Sequence, residues 1–323
     1  MKRWVSLLLL LFLLAGCAPS PEPLEEPVAA EEITEAATEE ITVETTEETV
    51  EETQIPTGVV LEPEAPGEAE SRCDVAVVDY SNAEDGYIMV CHFGETDSRL
   101  KVLLKGPKTT YKYDLPQGSW AVFPLSDGDG SYQAGVYRNT YGTKYALVMA
   151  ADFTVTMTDP FGPFLRPNQF VNYQDAPETV AMGAQLCAGM ENSLDKVAAV
   201  YDYVVANLTY DEEKAATVQS GYLPVPDEIL AMGKGICFDY AAVMTSMLRS
   251  QGIPCKLVVG YAGSTYHAWI SVWVEEIGWI YGAIYFDGQE WKRMDPTFAS
   301  SAEPQEAIRD FIENGNYTEK YCY

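Results

Sequence analysis

The most informative stretch of the chain reads Gly233-Lys234-Gly235-Ile236-Cys237-Phe238-Asp239-Tyr240-Ala241-Ala242, with a cysteine at the start of a helical pattern. One stripe of this predicted helix carries Cys237, Ala241, Met244 and Leu248. The thiol should therefore point toward the core side of the helix, at its N-terminal end. The unpaired N–H groups there favour an anion, and the thiolate is the reactive form of cysteine. Gly235 would let a substrate backbone approach closely. By itself, such a motif more often marks a buried, inert thiol.

A histidine follows in the strongly alternating segment 264–273, which predicts a β-strand. His267 shares one side of this strand with Trp269 and Ser271. The imidazole can therefore stand over a neighbouring helix end, which is where a general base for a thiol belongs.

A carboxylate ends the next probable strand, within residues 291–297. Asp295 lies directly before Pro296, and an aspartate there can orient an imidazole. Asp287 is a rival, but it sits beside Gly288 in a turn signal, so we favour Asp295.

The segments around these residues indicate the class of the domain. Apolar residues recur at helical spacing over 177–190 and 193–208, and a short helix is predicted near 227–232. The helix from Cys237 and several strands follow. Helices that precede an antiparallel sheet predict an α+β domain.

Together these blocks resemble the transglutaminase-like superfamily. The motifs, in the family's order, are Gly235-x-Cys237-x-Asp239-Tyr240-Ala241, Leu248-Arg249-x-x-Gly252-Ile253-Pro254, Gly260-Tyr261, His267-Ala268-Trp269 and Asp295-Pro296-Thr297. The resemblance covers about residues 175–300. It implies a papain-like α+β core in which Cys237 is the nucleophile, His267 the base and acid, and Asp295 the residue that holds the histidine tautomer. His267 and Asp295 are 28 positions apart, so we expect an extra hairpin arm between them.

An all-β region precedes this domain. Apolar and polar residues alternate in runs over 87–93, 100–104, 110–113, 120–125, 132–137 and 144–157. Six or seven short strands separated by turn residues predict a small antiparallel sandwich of immunoglobulin-like size at 73–158. His92 lies in one of these strands, and we interpret it as structural. Residues 159–174, rich in proline, form a connector to a catalytic domain at 175–323.

The chain begins with the pattern of an export signal. Lys2 and Arg3 precede an apolar run that is too short for a membrane span. Leu14-Ala15-Gly16-Cys17 resembles the lipobox of bacterial lipoproteins, which implies that residues 1–17 form the signal and that Cys17 carries the lipid. We expect export and anchoring to the outer face of the bacterial cytoplasmic membrane. The alternative is an ordinary cleaved signal in which Cys17 is incidental.

The net charge of −29 is concentrated behind this signal. Residues 18–70 contain 17 Glu, no Lys or Arg and no aromatic residue. When this segment, Lys2 and Arg3 are left out, the rest of the chain has a net charge of −14. Such a composition predicts a disordered, self-repelling tether. A Glu-rich helix is the alternative, which the Thr, Val and Pro content disfavours. Because clustered Lys and Arg are missing, we expect no nucleic-acid partner and membrane contact through the lipid alone.

The other cysteines leave the disulfide pattern open. Beside Cys17 and Cys237 they are Cys73, Cys91, Cys187, Cys255 and Cys322. Export permits disulfides, but five thiols cannot all pair. CxxC motifs and histidine clusters are missing, so no zinc site is expected, and without an EF-hand pattern no cofactor is implied.

These residues predict an enzyme that attacks a peptide or amide carbonyl and forms a thioester on Cys237. Hydrolysis is favoured over crosslinking, because water outnumbers amines outside a cell. Protein, peptide and cell-wall peptide substrates all fit a triad of this kind. The alternative is a non-catalytic surface adhesin or scaffold that binds peptide or wall material with the same fold.

Overall fold

A computed structural model describes residues 58–275, 277–281, 284–286, 291–293 and 317–323. The predicted lipid site Cys17, the predicted triad member Asp295 and its rival Asp287 lie outside these residues. No helix within the described ranges combines the length and the apolar character that a membrane span requires.

Two four-stranded antiparallel sheets form the first half of the described chain. Their strands are β1 (Glu70–Arg72), β2 (Ala76–Asp79), β3 (Tyr87–His92), β4 (Leu100–Lys105), β5 (Thr110–Leu115), β6 (Trp120–Pro124), β7 (Gly130–Tyr141) and β8 (Lys144–Val155). The strand orders are β1-β2-β3-β6 and β5-β4-β7-β8. In β4, every second residue is buried, as one inward face requires. The rings of Tyr113 and Phe123 join the two sheets at a centroid distance of 4.8 Å. These eight strands form the predicted small sandwich.

Five α-helices follow. They are α1 (Pro177–Leu186), α2 (Ser193–Asn207), α3 (Glu212–Thr217), α4 (Pro226–Met232) and α5 (Cys237–Ser250). Pro177 and Pro226 stand at the first positions of their helices, where a missing N–H group costs nothing. Asn192 caps α2, since its Oδ1 accepts the N–H of Leu194 at 2.7 Å. α1 ends four residues before its predicted end, and Gly189 beyond it has a left-handed φ of 73°.

A third four-stranded antiparallel sheet covers α5. The remaining strands are β9 (Thr209–Tyr210), β10 (Lys234–Gly235), β11 (Cys255–Ala262), β12 (Thr265–Val274), β13 (Gly278–Tyr281), β14 (Ile284–Phe286), β15 (Trp291–Arg293) and β16 (Tyr317–Cys322). The sheet has the order β13-β12-β11-β16, while β14 and β15 pair as a separate ribbon between His267 and Asp295. Every residue from Asp239 to Ser250 in α5 is buried. Helices packed on an antiparallel sheet confirm the predicted α+β class.

Arg249 joins three parts of this domain. Its guanidinium donates to the backbone carbonyls of Cys255 at 2.9 Å, Arg166 at 2.6 Å and Tyr323 at 2.7 Å. Burial lowers the pKa of Arg249 to about 10. The planar fork thus ties α5 to β11, to the connector and to the residue that follows β16.

The predicted tether extends too far toward the sandwich. Residues 58–70 lie against the folded chain: the N–H of Val59 donates to the carbonyl of Ser250 at 2.8 Å, and that of Gly67 to Asp79 at 2.7 Å. The prediction of disorder is therefore wrong for this part. An acidic composition does not reveal hydrogen-bond partners that are distant in sequence.

The six described cysteines are free thiols. Cys73 follows β1 and Cys91 lies in β3, and β2 separates these two strands. Two strand spacings of about 4.8 Å each exceed the Cα separation of at most about 6.8 Å that a disulfide spans. A Cys73–Cys91 disulfide is therefore excluded by the sheet order.

Candidate active site

Cys237 occupies the first position of α5 and is half-buried. The strand β10 leads into it, and β10 pairs in parallel with β9, so that Gly235 stands opposite Tyr210. The N–H of Asp211 also donates to the carbonyl of Gly235 at 2.9 Å. The chain that enters the helix is therefore held by backbone bonds on the side of β9.

Gly235 is required for a reason that sequence reasoning did not find. A Cβ atom at this position would lie 2.6 Å from the Cβ of Asp239 and 2.9 Å from its Oδ2. The glycine makes room for a buried carboxylate two residues beyond the cysteine. The expected role, close approach of a substrate backbone, is not needed to explain it.

His267 lies on β12, opposite Gly260 of β11, and is 6% exposed. Its ring lies 6.2 Å from that of Trp269, with an interplanar angle of 25°. A Cβ atom on Gly260 would meet the carbonyl of Thr318 and the Trp269 ring. The glycine therefore allows β16 to approach β11 closely beside the histidine.

Cys237 and His267 line one cleft of about 510 Å³. Its aromatic walls consist of Phe170, Tyr210, Tyr222, Phe238, Tyr266, Tyr321 and Tyr323. Lys112 is the only Lys or Arg among the described residues that line the cleft, and none of them is Asp or Glu. The walls of the cleft thus include residues of the sandwich, the connector, the segment after α3 and the end of the chain.

A largely buried ion-pair cluster lies at the start of α5. Asp239 is fully buried, and its Oδ2 accepts from the N–H of Ile236 at 2.9 Å and from Nζ of Lys214 at 2.6 Å. Its Oδ1 accepts from the hydroxyl of Tyr222 at 2.7 Å. Nζ of Lys214 also donates to the Tyr222 hydroxyl at 2.6 Å. Asp239 therefore caps α5 and also fixes the cleft wall formed by residues 215–222.

Two tyrosines of the cleft wall, Tyr222 and Tyr266, keep their protons at neutral pH. Burial, followed by the hydrogen bond to Asp239, raises the pKa of Tyr222. Burial likewise raises the pKa of Tyr266. These hydroxyls therefore remain hydrogen-bond donors at neutral pH.

The structure brings together two of the three residues predicted for catalysis, Cys237 and His267, while Asp295 lies outside the described residues. The catalytic roles of all three stay predictions. No group of three or more His, Cys, Asp or Glu in the described ranges is arranged to hold a metal ion.

Several residues in and beside the cleft were not predicted from the sequence. Lys214 has no local signal, because its partner Asp239 is 25 positions away. The strand β16 had one: tyrosines stand at positions 317, 321 and 323, all on one side of a period-two pattern. Two of them, Tyr321 and Tyr323, line the cleft.

Comparison with known proteins identifies the domain that holds these residues. Residues 180–296 match the model of the Transglutaminase-like superfamily. Protein YebA of Bacillus subtilis is 25% identical over 197 residues, which are 54% of this chain and 26% of that protein. The protein-glutamine gamma-glutamyltransferase of Pseudomonas aeruginosa is 33% identical over 70 residues, which are 17% of this chain and 10% of that protein.

Among solved structures, red sea bream transglutaminase has a TM-score of 0.29 and 14% identity, over 72% of this chain and 56% of that chain. The chain spans about a quarter or less of the length of the curated relatives it matches. The family match begins within α1 and includes the positions of Cys237, His267 and Asp295. By this match, residues 180–296 of the chain belong to the transglutaminase-like superfamily.

Proposed function

We propose that this protein is a surface-anchored cysteine enzyme that attacks a peptide or amide carbonyl through a thioester on Cys237. The observation that carries the proposal is that Cys237, at the start of α5, and His267, on β12, line the same cleft. The match of residues 180–296 to the transglutaminase-like superfamily supports cysteine chemistry at this place. Anchoring through Cys17 at the outer face of the membrane is part of the proposal and rests on the N-terminal sequence.

In the first step, Sγ of Cys237 attacks the carbonyl carbon while His267 takes the thiol proton. The C–N bond then breaks, and His267 returns the proton to the leaving amine. The backbone N–H of Cys237 stands at a helix start without an intrahelical partner, so it is a suitable donor to the oxyanion. Asp295 holds the imidazole tautomer in this scheme.

In the second step, water or an amine attacks the thioester carbonyl. His267 accepts the proton of the attacking group and delivers it to the departing thiolate, which restores Cys237. The cleft lining favours water, because no described residue of it is Asp or Glu and Lys112 repels an amine cation. We therefore propose a protease or amidase in preference to a crosslinking enzyme.

The test is to incubate the full chain with a peptide library, with and without a fluorescent primary amine. We expect cleavage by wild type, loss of cleavage in Cys237→Ala and full activity in Cys73→Ala, a matched half-buried thiol. Incorporation of the amine in place of cleavage would show acyl transfer.

Labelling with iodoacetamide at neutral pH separates the enzyme from the adhesin alternative. We expect fast modification of Cys237 that slows when His267 is replaced by Ala. A thiol that reacts no faster than Cys73, together with no turnover of any peptide, would favour a non-catalytic binding protein.

A further inference from the structure

A second cleft, of about 410 Å³, lies between the sandwich and the connector. Its walls come from the end of β5, from β6, from connector residues 167–175 and from Leu223. The volume falls within the range of about 300–1,000 Å³ that is typical of small-molecule sites.

The lining combines an apolar platform with carboxamide and carboxylate side chains. Trp120 is 43% exposed, and Ala121, Val122 and Leu223 extend the apolar part. The polar side chains are those of Asp114, Asn168, Gln169, Asn172, Gln174 and Asp175. None of the described lining residues is Lys, Arg or His. The cleft therefore offers amide and carboxylate groups, and no cation that would attract phosphate or another anion.

Asn168 provides an unused donor in this wall. It is 2% exposed, and its Oδ1 accepts the N–H groups of Phe170 at 2.9 Å and Val171 at 3.2 Å. These two bonds assign the amide orientation. The Nδ2 group has no hydrogen-bond partner within the described chain. A buried donor without a hydrogen-bond partner costs free energy. A ligand hydroxyl that reached Nδ2 would therefore form a hydrogen bond without breaking an existing one.

The charge of the cleft is moderate. Oδ1 of Asp114 is paired with Nζ of Lys101 at 2.9 Å and lies 3.9 Å from the guanidinium of Arg99, both outside the cleft lining. Asp175 accepts from the amide of Asn172 at 3.0 Å. A strongly cationic ligand is therefore not favoured over a neutral one.

We propose that this cleft binds a neutral saccharide. Sugar hydroxyls both donate and accept, which suits carboxamides and carboxylates, and the C–H face of a sugar ring packs on an indole. A lipid would leave the buried Nδ2 donor of Asn168 without a hydrogen-bond partner, and a nucleotide would find no cation.

The two clefts are neighbours. Gly221 and Tyr222 line the Cys237 cleft and Leu223 lines the saccharide cleft, while an added Cβ on Gly221 would lie 3.4 Å from Asp114. We infer from this that the substrate is an amide or peptide that carries a saccharide. This one step rests on the proposed function at Cys237.

Isothermal titration calorimetry of the full chain, carrying Cys237→Ala so that nothing turns over, tests the site. The probes are chitotetraose, cellotetraose and penta-alanine. We expect one of the saccharides to bind, with the dissociation constant at least tenfold higher in Trp120→Ala and raised in Gln174→Ala, whose side chain is exposed. Tyr141→Ala, which removes an 81% exposed ring outside the cleft, should bind as the parent does.

Binding of neither saccharide at millimolar concentration, unchanged binding in both cleft variants, or binding of penta-alanine alone would overturn the proposal. Because the measurement needs no catalysis, such a failure leaves the chemistry at Cys237 untouched. If wild type cleaves no peptide, the proposed function fails, but the proposal of saccharide binding still stands.

Discussion

The hydroxyl of Tyr222 donates to Oδ1 of Asp239 at 2.7 Å, and so connects a wall of the cleft to the helix that begins with Cys237. The carboxylate is fully buried and also pairs with Lys214. The position of the cleft wall and the start of α5 are therefore set by one charged cluster.

Replacing Asp239 by Asn should both destabilise the protein and reduce turnover. The change leaves the Lys214 ammonium without its counter-charge, which costs on the order of 3 kcal/mol for a pair that is mostly buried. Thermal denaturation and kcat/KM for a cleaved peptide measure the two effects. Asp202→Asn, at an exposed position of α2, should change neither. An Asp239→Asn variant as stable and as active as wild type would show that the cluster sets neither the cleft wall nor the start of α5.

Replacing Gly235 by Ala should disturb the same cluster from the other side. The new methyl group would lie 2.6 Å from the Cβ of Asp239, and overpacking of this kind costs about 1–3 kcal/mol. We expect slower alkylation of Cys237 by iodoacetamide, since the start of α5 must shift. Unchanged alkylation and an unchanged melting temperature would contradict the explanation that Gly235 makes room for Asp239.

Replacing Arg249 by Met should be among the most destabilising changes in the chain. Three backbone carbonyls lose their donor, and each unsatisfied buried group costs about 1–3 kcal/mol. Arg249→Lys should also destabilise, because an ammonium cannot match the planar fork. Denaturant titration of both variants checks this, with Arg138→Met, at an exposed position of β7, as the control.

Stability should fall at alkaline pH, partly because of Cys255. Burial raises the pKa of this thiol from 9.0 to about 11. The unfolded chain therefore releases the proton near pH 9 while the folded chain keeps it, so stability is fully present below pH 9 and is lost as the pH rises to about 11.

The difference of about two pKa units corresponds to at most about 3 kcal/mol. Melting temperatures between pH 8 and about 11 should fall less steeply in Cys255→Ala than in wild type, and Cys73→Ala should follow wild type. Parallel curves for Cys255→Ala and wild type would rule out this contribution.

Much of the C-terminal half was predictable because its signals are local. The helix that starts at Cys237 and the strand around His267 follow from apolar periodicity, and both begin within a residue of the predicted positions. The alternation of β4 likewise predicted its buried face. The predicted end of the tether was wrong. The hydrogen bond from Val59 to Ser250 joins two segments that are distant in the sequence, and composition does not predict such a contact.

The amino-acid sequence by itself determined the helix at Cys237, the strand around His267, the resemblance to the transglutaminase-like superfamily and the candidates Cys237, His267 and Asp295, because periodicity and short motifs are properties of neighbouring residues. Only the tertiary structure decided that Lys214 and Tyr222 meet Asp239, that β16 closes the cleft, and that the sandwich contributes Lys112 and Trp120 to two adjacent clefts. These contacts join residues that are distant in the chain. They form because burying the apolar faces of the helices and sheets brings the polar groups at their ends together.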